Sequence, residues 1–289
     1  MNPIIDRDNN AKADAWEENI TTFAGYAATK HVPLAGVFEL TARCNLRCKM
    51  CYVRLDPQQM RRIGKELTAK EWIDLGKDAA AAGTLNLLIT GGEPLLRDDF
   101  EEIYTALNRM GFIIALNTNA TLMNERYLKL FQKYPPTAIN ITLYGASPET
   151  YGAVCGREDG FEKTIKGLEL LASTSSVLEI HTTFIKDNLN ELDAVRAIAN
   201  RFSNRFAINP FLFSPVRGAV SDVKNCRLNP DEILQLEKSN AQFYNDINNV
   251  ADPKHLDRKE NSAKRDLKLD LPPKILTCLG AKALFWITW

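Results

Sequence analysis

The sequence predicts an α/β fold in which six parallel strand–helix units, (βα)6, form an incomplete barrel. Three observations point there. β-Prone apolar runs alternate with stretches of helical spacing across residues 35–213, the pattern of a parallel sheet with right-handed crossovers. The units number six where a closed barrel needs eight, so one side stays open. The polar, glycine-rich and cysteine-rich motifs all follow strands, so they gather at the one mouth where such folds place function.

The elements follow in order. Residues 1–33 are polar and mixed and read as an N-terminal extension. Within them 13–28 has helical spacing, with Trp16, Ile20 and Phe23 as its apolar positions. The first strand is 37–41, in an apolar run that opens at Ala35. A loop with three cysteines follows and continues to about Lys65. Thr68 and Glu71 make a capping box, and the helix behind them runs through Trp72, Leu75 and Ala79 to Gly83. The second strand, 85–90, ends in Gly91, Gly92, Glu93 and Pro94. A helix from about Asp98 to Gly111 leads to the third strand, 112–116, then Asn117, Thr118 and Asn119, then a helix over 124–131. The fourth strand, 138–143, runs into Tyr144 and Gly145, with a helix over 161–171 behind it. The fifth strand is 177–184, its helix 189–202, and the sixth strand 206–213.

Beyond the barrel, Pro230 suits the first turn of a helix over 230–248, with Ile233, Leu236 and Phe243 or Tyr244 inward. Residues 251–274 are highly charged, contain Pro272-Pro273 and read as a linker. Residues 275–289 are apolar and end in a strand-like run. An uncovered apolar end is poorly soluble, so truncation is expected there. The divisions are 1–33, 34–214, 215–274 and 275–289.

Composition bounds the function. Hydrophobic residues are 45% and charged residues 25%, and Lys+Arg and Asp+Glu are each 36, for a net charge of +0. No global field draws the chain to nucleic acid or a membrane surface. The start has no signal-peptide core and no run approaches a membrane span, so the cytoplasm is the expected location. Six cysteines in a reducing compartment argue for metal or catalytic use over disulfides.

Three of them, Cys44, Cys48 and Cys51, are spaced C-x3-C-x2-C just after the first strand. Thiolates bind soft metals and iron–sulfur clusters. Three ligands leave one metal position open, as a catalytic centre needs. A zinc knuckle with a distant fourth ligand and free thiols are the alternatives. Gly91 and Gly92 let the backbone approach a ligand closely, and Gly-Gly-Glu-Pro is equally an ordinary strand-to-helix turn. Cys155 reads as a small buried hydrophobe. His31, His181 and His255 are scattered; His181 on the fifth strand either points into the barrel or, the favoured reading, is a core histidine, and no catalytic acid or base is assigned.

With these motifs placed, the chain resembles the radical S-adenosylmethionine (SAM) superfamily. The resemblance rests on Cys44, Cys48 and Cys51 after the first strand with Gly91, Gly92 and Glu93 after the second, and covers about residues 35–213. Met50 departs from the aromatic residue that many members carry there. The resemblance implies a partial (βα)6 TIM-like barrel. It also implies that Cys44, Cys48 and Cys51 hold a [4Fe–4S] cluster whose fourth iron chelates SAM. One electron then cleaves SAM to methionine and a 5′-deoxyadenosyl radical. Glu93 would sit near the SAM ammonium. Asn119, Thr142 and Thr183 are candidates for polar contacts to SAM, or equally turn residues and sheet-edge hydroxyls. Asn209 and Phe211 are weaker candidates on the adenine side, and Tyr52 packs beside the cluster or in the core.

Cys278, Gly280 and the run from Phe285 to Trp289 resemble the opening of a SPASM or twitch module, and residues 143–151 resemble the same subgroup. The fold expectation thereby gains a helical C-terminal extension and the start of such a module. That subgroup's members cross-link or epimerise ribosomal peptides or mature sulfatases. The resemblance implies an oxidoreductase acting on a peptide or protein substrate, with an external electron donor such as flavodoxin or ferredoxin, and no nucleic-acid or membrane partner. An auxiliary iron–sulfur cluster is expected only if the chain is a fragment, since Cys278 has no evident partner but Cys226. A small-molecule substrate and a non-catalytic zinc domain are the competing readings. Residues 91–93 argue against the zinc domain.

Overall fold

The computed structural model describes residues 30–219, 221–250 and 284–288. The helix expected over 13–28, the linker over 251–274, His255 and Cys278 lie outside the described residues. The chain forms two compact units, Met1–Arg227 with Leu279–Trp289, and Leu228–Cys278.

The first unit is built on one parallel sheet. Its strands are β1 (Ala35–Glu39), β2 (Asn86–Thr90), β3 (Ile113–Thr118), β4 (Ala138–Thr142), β5 (Val177–Thr183), β6 (Phe206–Asn209) and β7 (Leu284–Thr288). The spatial order is β6-β5-β4-β3-β2-β1-β7. The six expected strands are all present, in an α/β partial barrel. The seventh strand adds to them. Residues 284–288, expected to open a separate module, pair in parallel with β1, Ala35 opposite Leu284 and Glu39 opposite Thr288.

Alternation divides the sheet into two faces. Phe38, Ile89, Leu116, Ile139, Ile141 and Ile180 are fully buried beneath the helices. In the other phase Val37, Leu88, Asn117, Thr142 and Thr183 line an open lumen. The outer face carries the core. Phe38 packs on Trp72 of α2 (Ala69–Ala81), ring centroids 5.1 Å apart. Phe100 and Tyr104 of α3 (Phe100–Arg109) stack at 5.6 Å. Tyr127 and Phe131 of α4 (Glu125–Lys133) meet Phe100 edge-on.

Local chemistry sets the boundaries. Two helices arise where a loop was expected or no element was assigned. The first is α1 (Pro57–Ile63), started by a capping box of Asp56 and Gln59. The second is α5 (Pro148–Cys155), capped by Ser147 and ended by Gly156 at φ 68°. Behind α5 come α6 (Gly160–Leu171) and α7 (Leu192–Ala199). The segment before α7, Leu189–Glu191, winds as a separate 3-10 turn. β6 ends at Asn209, four residues before the expected end, because Pro210 has no N–H for the ladder.

Residues 215–227, expected with the linker, lie in the barrel unit and include the short α8 (Val223–Cys226). In the second unit α9 spans Pro230–Val250. Asn229 and Glu232 cap it reciprocally, each side chain accepting the other's backbone N–H. The side chains of Phe243 and Tyr244 lie outside the described set.

Candidate active site

Two loops form the wall of the site, and they are hydrogen-bonded to each other. The β1–β2 ladder continues past the strands. Leu40 N–H donates to the Thr90 carbonyl at 2.9 Å, Gly92 N–H to Thr41 at 2.7 Å and Glu93 N–H to Arg43 at 2.9 Å. A Cβ on Gly91 would lie 2.6 Å from the Thr41 carbonyl oxygen, and one on Gly92 2.3 Å from that of Arg43. Glycine is therefore required by the contact between the loops. The sequence suggested an approach to a ligand or an ordinary turn; both glycines do also line the cavity.

The far side of the cysteine loop is held as firmly. Arg47 and Lys49 donate their backbone N–H groups to the carbonyls of Cys155 and Val154 at 2.8 and 2.9 Å, satisfying the C-terminal end of α5. The segment after β6 folds back over the loop, with Val216 N–H on the Tyr52 carbonyl at 3.0 Å and Asp222 N–H on that of Lys49 at 2.7 Å.

Cys44, Cys48 and Cys51 are free and half-buried. Leu46 N–H points at Cys44 Sγ at 3.4 Å and Arg54 N–H at Cys51 Sγ at 3.3 Å. Burial pushes the Cys44 and Cys51 thiols up. A hydrogen bond from the buried Cys155 thiol brings that of Cys48 down, against burial, with help from Tyr144. A bound cation reverses such a burial penalty and takes the ligand as thiolate. Among the described residues, no three His, Cys, Asp or Glu side chains form a group that could hold one metal ion. Thiolates that each bind a separate iron need no common point, so this donor set fits a cluster held by Cys44, Cys48 and Cys51.

Glu93 is turned away from the cavity. It is fully buried. Its carboxylate accepts from Leu95 N–H at 3.1 Å, Thr118 Oγ1 at 2.8 Å and Asn119 N–H at 2.7 Å. It joins the end of β2 to the end of β3, and its oxygens are taken by the protein rather than presented to a ligand ammonium. Burial raises its pKa to about 7, against those three hydrogen bonds. Asn119 stands behind Cys44. Its Nδ2 lies 3.7 Å from Cys44 Sγ and 3.0 Å from Asn45 Oδ1, and its Oδ1 accepts from Thr121.

The lumen mouth encloses a cavity of about 430 Å³, within the range of small-ligand sites. Cys48, Cys51 and Tyr52 line one wall and Gly91 and Gly92 the next. The strand ends supply Asn119, Thr142, Thr183 and Asn209, and Phe211 and Phe213 form the rim. Both rim phenylalanines are about two-thirds exposed, and Phe213 packs on Tyr52 at 5.6 Å. Thus the residues expected at the site converge on this cavity, except that Cys44 and Glu93 do not line it.

Further groups on the lumen face had no role assigned from the sequence. Asn117 bridges Thr90 and Asn140, at 3.4 and 2.7 Å. Glu39 is buried and paired with Arg217, which sits in the left-handed region at φ 53°. His181 pairs in register with Thr142, so it lies on the lumen face rather than in the core, 3.8 Å from Glu179. The available signal was polar residues at alternate positions in apolar strands. Among the described residues no helix is long and apolar enough to cross a membrane.

Comparison with known proteins bears on the family and the fold. The model of the Radical SAM superfamily matches residues 38–198, more than half of the chain. An AdoMet-dependent heme synthase of Methanosarcina barkeri is 31% identical over 68% of this chain and 55% of its own length. A PqqA peptide cyclase of Rhizobium meliloti is 28% identical over 60% and 45%. The subtilosin biosynthesis protein AlbA of Bacillus subtilis is 29% identical over 62% and 39%. The chain spans about half the length of these relatives. Among solved structures, SuiB of Streptococcus suis aligns over 100% of this chain and 56% of its own, with TM-score 0.61 and 16% identity. The structure of anSMEcpe with bound AdoMet aligns over 75% and 62%, with TM-score 0.61 and 19% identity. These two share the fold.

Proposed function

Since the chain belongs to the radical SAM superfamily, we propose that it is an enzyme that uses SAM to modify a peptide or protein side chain. The observation that carries this reading is the single cavity that joins the cysteine loop, the Gly91–Gly92 turn and an open, polar lumen. A peptide cyclase and a bacteriocin biosynthesis protein among the relatives support a peptide substrate. The exposed aromatic rim of Phe211 and Phe213 supports it too, since aromatic side chains make large contact area with a flexible chain.

When bound, the cluster and SAM supply a reductive cleavage that yields methionine and a 5′-deoxyadenosyl radical. The protein's part is binding, orientation and exclusion of water. Cys44, Cys48 and Cys51 hold the cluster. Gly91 and Gly92 present backbone groups to SAM. Asn119, Thr142 and Thr183 supply polar contacts from three strand ends, and Asn209 with Phe211 closes the β6 side. Glu93 acts indirectly, by fixing the loop that carries the glycines. The electron comes from an external carrier.

Protein reconstituted anaerobically with iron and sulfide should show iron–sulfur absorbance and release 5′-deoxyadenosine from SAM and a reductant. Cys48→Ala should abolish that release. Zinc without iron, and no nucleoside product, would overturn the reading. The heme synthase relative favours a second reading, a small-molecule substrate. Substrate-dependent stimulation of nucleoside release by peptides, set against tetrapyrroles, separates the two.

A further inference from the structure

Cys155 has no part in the chemistry proposed above, yet it stands against one of the cluster ligands. It ends α5, is fully buried and is free. Its thiol donates a hydrogen bond to the sulfur of Cys48. The backbone holds the two residues together. Before Cys48, Arg47 N–H donates to the Cys155 carbonyl at 2.8 Å, and after it Lys49 N–H donates to that of Val154 at 2.9 Å. A disulfide needs a short, fixed separation of its two Cα atoms and side chains turned toward each other. Contact between the sulfurs and the pinning of both backbones meet that need.

The two cysteines differ in access. Cys48 is half-buried. It lines the lumen cavity and also a separate cleft of about 290 Å³, beside Arg47, Arg54 and Asp222. A small oxidant therefore reaches Cys48 from either side of the loop. Cys155 has no exposed surface, and a thiol buried in this way is inert by itself. The other two cluster ligands are held by other donors. Cys44 Sγ receives Leu46 N–H at 3.4 Å and Asn119 Nδ2 at 3.7 Å, and Cys51 Sγ receives Arg54 N–H at 3.3 Å.

We propose that Cys48 and Cys155 close a reversible disulfide when a peroxide meets the cluster-free loop, and that this bond keeps Cys48 recoverable as a ligand. The pairing stands on the contacts above; its meaning for the cluster rests on the function proposed above. The step balances with hydrogen peroxide as the oxidant. The Cys48 sulfur attacks the peroxide, an S–O bond forms as the O–O bond breaks, and the thiol proton leaves with the departing hydroxide as water. The Cys155 sulfur then attacks the sulfenic acid. The S–S bond forms, the S–O bond breaks and a second water leaves. The two thiols have lost two electrons and the peroxide has gained them. Without a thiol beside it, a sulfenic acid goes on to the sulfinic acid, which dithiols do not reverse. A disulfide is returned to thiols by exchange. Cys155 is thus the resolving thiol of Cys48.

The test uses the full chain, purified without iron and kept anaerobic. It is treated with hydrogen peroxide, alkylated, digested with trypsin and mapped by mass spectrometry without reduction. Trypsin cuts after Arg43, Arg47 and Lys49, so Cys44, Cys48 and Cys51 fall in separate peptides. Iron uptake on reconstitution is measured in parallel. The main product should join the Cys48 peptide to the Cys155 peptide, with the intact mass lower by about 2 Da. Iron uptake should fall roughly tenfold and return after dithiothreitol. In Cys155→Ala, peroxide should instead raise the mass at Cys48 by about 32 Da, and dithiothreitol should not restore uptake. Since Cys155 is buried, Cys155→Val is made beside it, and the bridge mapped in the unaltered chain decides without either variant.

A dominant bridge from Cys48 to Cys44 or Cys51 overturns the proposal. So does a Cys155 that stays a free thiol while iron uptake is lost, or equal sulfinic acid at Cys48 in the unaltered chain and in Cys155→Ala. A Cys48–Cys155 bridge in a chain that takes up no iron even when kept reduced supports the pairing and overturns the cluster reading instead.

Discussion

Gly92 and Glu93 are neighbours with opposite duties. A methyl group on Gly92 would press into the backbone of Arg43, which cannot swing aside as a side chain can. Gly92→Ala should therefore destabilise the apo protein by about 1–3 kcal/mol, the usual range for overpacking, read by urea unfolding. Glu93→Gln should cost about 1–3 kcal/mol, because its amide turns a donor toward the Asn119 N–H. pH gives a second test. The Glu93 carboxyl loses its proton near pH 7 when folded and near 4.3 when unfolded. Between those values the unfolded state binds fewer protons, so this group's contribution to stability falls as pH rises from about 4.3 to 7 and is level above. Glu93→Gln should remove that slope; parallel pH–stability curves for the two proteins would refute the assignment. The cysteine triplet and the glycine pair were legible in the sequence because their spacing is local. The inward turn of Glu93 was not, because its partners Thr118 and Asn119 come from another strand.

Strands and long helices announced themselves through apolar period. α1 did not, since it buries no residue and has no apolar stripe to read. Its capping box, Asp56 with Gln59, was written in the sequence all the same. α5 was signalled by Ser147-Pro148 at its start and Gly156 at its end, and it matters to the site because its last carbonyls receive Arg47 and Lys49. Ser147→Ala removes the cap on Thr150 N–H and should cost about 1 kcal/mol. Because α5 carries the cysteine loop, iron retained per chain under a chelator should fall along with the melting temperature. A fall in melting temperature alone would show that the helix does not brace the loop. The lumen face was partly legible. Strand ends drew notice, while Asn140 and Glu179, deeper on the same face, appear only when register sets them side by side, and register decides between the two readings of His181.

At the scale of the molecule, the open barrel has two edges, β6 and β7. The strand character of residues 284–288 was readable, but its partner was not, because β1 lies at the other end of the chain. Pairing covers residues 284–288 of the apolar run that looked unprotected, and Phe285 lies 6.2 Å from Phe38, centroid to centroid. Deleting residues 284–288 should expose the β1 edge and raise the fraction of soluble aggregate in light scattering; an unchanged monomer profile would show that β1 tolerates a bare edge. The same pairing has a consequence during synthesis. Among the described strands β1 is the first to leave the ribosome and β7 the seventh. At the usual pace of translation, β1 waits on the order of 10–50 s for its second neighbour. Through that interval the nascent chain carries an unpaired strand edge beside the loop of Cys44, Cys48 and Cys51, an edge open to chaperone engagement until β7 arrives.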